Sequence, residues 1–71
     1  MKIYQICRHN RLHTLNLDRV SDVVLGDGSV PIKKAVTIFV NYPENIRQFR
    51  FDTPEEAMAE YKKIVDAMKK D

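Results

Sequence analysis

One cysteine, two glycines and no tryptophan in 71 residues remove several possibilities at once. Cys7 alone cannot form an internal disulfide, and a single thiol fits a reducing compartment. Cys7, His9 and His13 are the metal-ligand types within reach of one another, but the four ligands of a structural zinc site are not there, so no metal is expected. The two glycines fall together in Gly26-Asp27-Gly28-Ser29. Val30-Pro31 follows, where a phosphate-binding loop continues into a lysine, a hydroxyl residue and a helix, so this segment reads as a turn.

Long apolar runs are missing as well. No stretch approaches the roughly 20 apolar residues of a membrane-spanning helix, and Lys2 is not followed by the apolar run of a signal peptide. The expectation is a cytoplasmic chain with no membrane segment. An excess of one charge is also absent, because 12 basic and 10 acidic residues leave only +2. The first 34 residues carry six basic side chains (Lys2, Arg8, Arg11, Arg19, Lys33, Lys34) against three acidic (Asp18, Asp22, Asp27), a net +3 that leaves −1 for the remainder. Such an asymmetry biases the approach of an anion without specifying one. Asp18, Asp22 and Asp27 lack the spacing and the terminal glutamate of a calcium loop. Cys7 and His9 have no orienting acid, so no catalytic residue is expected and the chain does not read as an enzyme.

What is present is alternation followed by a helical period. Residues 2–7, 12–18 and 21–25 read as short strands, with Arg8-His9-Asn10-Arg11 polar enough to turn. Pro31 argues against regular central pairing around it. Residues 35–41 place Val36, Ile38 and Val40 on one face and Thr37 and Phe39 on the other, and residues 46–51 return as an antiparallel partner after Tyr42-Pro43-Glu44-Asn45. Then Thr53-Pro54-Glu55-Glu56 opens a helix over 54–69. Thr53 is suited to the N-cap, Pro54 to the first helical position, and Glu56 to a capping box. Ala57, Met58, Tyr61, Ile64, Val65 and Met68 form one stripe at a 3.6-residue period, and Lys69 and Lys70 complement the C-terminal end of the dipole.

These elements predict a single α+β domain over 1–71: a four- to five-stranded antiparallel β-meander with one C-terminal amphipathic helix packed on one face. The other face of the sheet is then open, and it is expected to carry Phe39 and Ile46, with Tyr4 and Ile6, as interface candidates. Leu15-Asn16-Leu17-Asp18-Arg19-Val20, the middle hairpin, and Phe49-Arg50-Phe51 running into Thr53-Pro54-Glu55-Glu56-Ala57 with Tyr61 and Ile64 resemble small uncharacterised bacterial and phage proteins. The resemblance implies a β-meander followed by one C-terminal helix and carries no active-site residue across.

The leading expectation is a noncatalytic interaction module that joins a second copy of itself, as a homodimer or larger, or another protein. The contact would run through the open sheet face or an edge strand, because a core this small gains from association. One alternative is an anion or nucleic-acid binder using Arg8, Arg11, Lys33 and Lys34, not favoured at this charge balance. Another is a mobile-element inhibitor that binds a host protein or nucleotide. No cofactor is expected.

Overall fold

The computed structural model describes residues 2–26 and 28–69, so Asp27 of the glycine turn and Lys70 at the helix end lie outside the described residues. Strand β1 (Ile3–Arg8) and strand β2 (Arg11–Asn16) form an antiparallel hairpin with Tyr4 opposite Leu15 and Ile6 opposite His13. Two residues connect them. His9 and Asn10 both have positive φ, at 52° and 61°, the backbone of a type I′ loop whose twist matches the strands it joins. Asn and His are among the few residues with a Cβ that enter this region readily.

β2 then stops two residues short of the expected boundary. The Asn16 side chain accepts from the Asp18 N–H at 3.1 Å and opens a 3-10 turn over Leu17–Arg19, while the Leu17 N–H donates to the Lys2 carbonyl at 2.8 Å. The turn redirects the chain. Strand β3 (Asp22–Leu25) therefore pairs with strand β4 (Thr37–Asn41), and β4 pairs in turn with strand β5 (Ile46–Arg50). The result is two antiparallel sheets, β1-β2 and β3-β4-β5, which corrects the expected single meander of four to five strands. The α+β character and the strands-then-helix order stand.

Helix α1 (Pro54–Lys69) begins as its sequence dictates: Thr53 Oγ1 accepts from the Glu56 N–H at 3.2 Å, with Glu55 and Glu56 in the first turn. Its Ala57 and Ile64 reach zero exposure against Ile38, Val40 and Phe49 of the larger sheet and Ile6 and Leu15 of the hairpin. Leu15, Ile38, Val40 and Ile64 are the largest fully buried side chains, each contributing about 1.5–3 kcal/mol by burial. The hairpin and the helix thus share one face of β3-β4-β5. Among the described residues no helix is long and apolar enough to cross a membrane.

The hairpin is tied to β5 by side chains. His13 meets Phe49 edge-on, with centroids 5.2 Å apart, and Arg47 Nη2 donates to His13 Nδ1 at 2.9 Å. A guanidinium has no acceptor, so the imidazole presents its lone pair at that nitrogen. Tyr4 donates its hydroxyl to Glu60 of the helix. Burial, reinforced by the hydrogen bond and the negative charge of Glu60, pushes the Tyr4 phenol well above its ordinary range.

Candidate functional site

An antiparallel strand bonds to its neighbour through alternate residues, and the others turn their backbone groups the opposite way. Gly26 donates to the Thr37 carbonyl at 2.8 Å, which sets the alternation along β3: Val24 and Asp22 face β4, while Val23 and Leu25 direct their N–H and C=O groups to the free edge. Among the described residues those groups have no partner. On the far side of the sheet the same alternation turns Gln48 and Arg50 outward from β5. There Arg8 caps the Arg50 carbonyl.

An apolar groove runs beside the free edge of β3. Val23, Val24 and Leu25 form one wall, Met58 and Tyr61 of α1 another, and Ile32 the rim, around a hollow of about 440 Å³. Ile32 is 54% exposed, held out by the 3-10 turn Ile32–Lys34 that follows Pro31. A second hollow of about 480 Å³ continues past Ile32 and Met58 along the start of α1, where Lys33 and Lys62 border it. Both volumes fall in the range of ~300–1,000 Å³ that accommodates ligands. The arrangement can pair an extended backbone with β3 and seat its alternate side chains against the helix.

Of the interface candidates read from the sequence, the structure separates two from two. Phe39 is half-buried and Ile46 is 62% exposed, both on the face of β3-β4-β5 turned away from the core, where Val24 stands opposite Phe39. Ile6, at 2% exposure, lies in the core, and Tyr4 is packed against it. Their placement on an open face is corrected. The reason lies in β1 itself, where Ile3, Tyr4, Ile6 and Cys7 put apolar residues at both parities, so alternation cannot say which face is inner.

The basic candidates are dispersed. Arg8 is engaged with Arg50 and Phe51, and Arg11 is exposed opposite it at the hairpin end. Lys34 shares a small hollow with Gly26, Thr37 and Arg50, whereas Lys33 borders the groove along α1. Cys7 is exposed on the outer face of the hairpin opposite Leu12, His9 sits in the turn, and His13 faces inward, so the three do not converge.

Val23, Leu25, Ile32 and Lys62 line the groove without belonging to any motif legible in the sequence. The one available signal was Pro31, which marks the chain after β3 as unable to continue a ladder. No protein-family model matches the chain, and neither the curated proteins nor the solved structures include a match to it.

Proposed function

We propose that the chain is a noncatalytic interaction module that accepts an extended strand from another chain along the free edge of β3. The observation that supports this reading is the row of unpartnered backbone groups on Val23 and Leu25 beside an apolar groove. Up to four hydrogen bonds are on offer, at ~0.5–1.5 kcal/mol each. Ordering each residue of an incoming strand costs about 1–2 kcal/mol, so backbone pairing alone comes close to break-even. The net affinity then comes from side chains entering the groove, at about 1.5–3 kcal/mol for each fully buried aliphatic. An edge strand without such a groove would be a weak and indiscriminate template; this one has the groove.

The test is a two-dimensional amide NMR spectrum recorded with increasing amounts of short extended peptides of alternating Thr and Val. Shifts concentrated at Val23, Leu25, Met58 and Tyr61 are expected. Shifts absent from β3 at every concentration would count against the reading.

A second reading, self-association through the outer sheet face, is favoured by the exposure of Ile46 beside Val24 and Phe39. Light scattering at high micromolar concentration separates the two: a dimer lost in Phe39→Glu supports the outer face, and a monomer that still binds peptide supports the edge.

A further inference from the structure

The groove beside β3 is charged at one end. Past Leu25 it is bordered by Lys33 on the Ile32–Lys34 turn and by Lys62 on α1, with Glu55 the carboxylate among its lining residues. Neither ammonium takes part in an ion pair among the described residues, where the pair formed is Arg19 with Glu44. Two uncommitted cations thus stand over an apolar trough whose wall is an unpaired strand edge.

We infer that the occupant is an extended segment of a different protein, apolar at alternate positions and carrying carboxylates at the end that lies beyond Leu25, where they meet Lys33 and Lys62. This rests on the edge-strand reading above and names the partner for it. Alternation of a paired strand sends every second side chain to the helix side of the sheet, toward Met58 and Tyr61, so the apolar requirement falls on one parity only. The charge requirement comes from the lysines, since a carboxylate in that hollow gains two cationic neighbours without displacing an existing pair.

A second copy of this chain fits the groove less well. Its own β3 carries one carboxylate, Asp22, which shares the parity of Val24 and is held on the outer face by the Asn41 side-chain amide at 2.5 Å. In a β3-to-β3 pairing that carboxylate stays away from Lys33 and Lys62. The charge complementarity therefore selects a foreign acidic strand over self-pairing.

The experiment uses the full chain, isotope-labelled, and short synthetic probes of alternating Thr and Val that end in paired Glu at either terminus, with matching probes that end in paired Gln. The Glu probe of the correct polarity is expected to shift the amides of Val23, Leu25, Met58 and Tyr61. The Gln probe should bind at the same place about five- to tenfold more weakly, the preference expected of two solvent-accessible ion pairs. Rising salt should narrow the gap. Lys33→Gln with Lys62→Gln, both at exposed positions, should lower Glu-probe affinity to the Gln level while leaving the spectrum of the free protein otherwise unchanged. N-methylation of alternate probe residues should abolish binding in one phase and not in the other.

Equal affinity of Glu and Gln probes, with β3 amides shifting in both cases, overturns the acidic partner and leaves the edge-strand reading standing. No shift at β3 with any probe overturns the edge-strand reading itself. Shifts at Val23 and Leu25 that depend on protein concentration alone assign the edge to a second copy and overturn the foreign partner.

Discussion

Arg8 lies with its guanidinium carbon 4.5 Å from the centroid of the Phe51 ring while its Nε and Nη2 donate to the Arg50 carbonyl at 3.1 and 2.8 Å. One side chain of the first hairpin thereby closes over the end of β5. An exposed cation–π contact contributes about 0.5–1 kcal/mol, and a charge-assisted hydrogen bond more when shielded from water. Arg8→Ala should lower stability by about 1–2 kcal/mol in urea unfolding. Arg8→Lys should recover only part of that, because an ammonium cannot reproduce the fork. Arg11→Ala, at an exposed position, should fall within about 0.5 kcal/mol of the parent.

The two-residue loop of the first hairpin is built from residues that tolerate positive φ without preferring it. His9→Asn combined with Asn10→Gly supplies the favoured type I′ pair and should stabilise the chain by about 0.5–1 kcal/mol. The midpoint of urea unfolding, at unchanged slope, reports the gain.

Tyr4 links stability to alkaline pH. Its folded-state acidity lies above the ordinary phenol value of 10.0, first because burial disfavours phenolate and then because Glu60 accepts its hydrogen bond. A raised value of this kind contributes stability that is fully present below pH ~10 and is lost as pH rises from there toward the folded value. Tyr4→Phe should therefore cost a constant amount, about 1 kcal/mol, from neutral pH to about pH 9. Above pH ~10 the parent should lose stability faster than the variant, so that the two urea midpoints converge.

Much of this architecture is legible in the residues. The alternation from Val36 to Val40 and from Arg47 to Phe51 sets the pairing and inner face of β4 and β5, and Thr53 with Pro54 sets the start of α1. The division into two sheets is not legible in the same way. It depends on Asn16 turning its side chain onto the Asp18 amide, a local hydrogen bond that leaves no mark on hydrophobic period. The groove is hidden for a different reason, since Val23, Ile32, Met58 and Tyr61 come from three separate segments and meet only after β3 has taken its place at the sheet edge. Phe39 and Ile46 fall on the outer face because β4 has one unambiguous parity; Ile6 falls inside because β1 has none.

Gly26 is a position where only glycine serves. Its φ is 97°, and a Cβ there would stand 3.2 Å from the Ala35 Cβ, which is itself buried. Gly26→Ala should destabilise by about 1–2 kcal/mol, the cost of holding a side chain in a left-handed backbone. Because Gly26 also anchors β3 to β4 through the Thr37 carbonyl, amide exchange should quicken at Gly26 and Val24 before it does in α1.

Whether β3 offers an unpaired edge to a partner is decided by amide hydrogen exchange in the dilute protein alone. Val24 and Asp22 bond to β4, whereas the N–H groups of Val23 and Leu25 face outward. Slow exchange is expected at Val24 and fast exchange at Val23 and Leu25, with protection appearing at those two when an acidic extended peptide is added. Slow exchange at Val23 and Leu25 in the free monomer would contradict an unpaired edge, because the edge would then already be covered by the chain's own atoms.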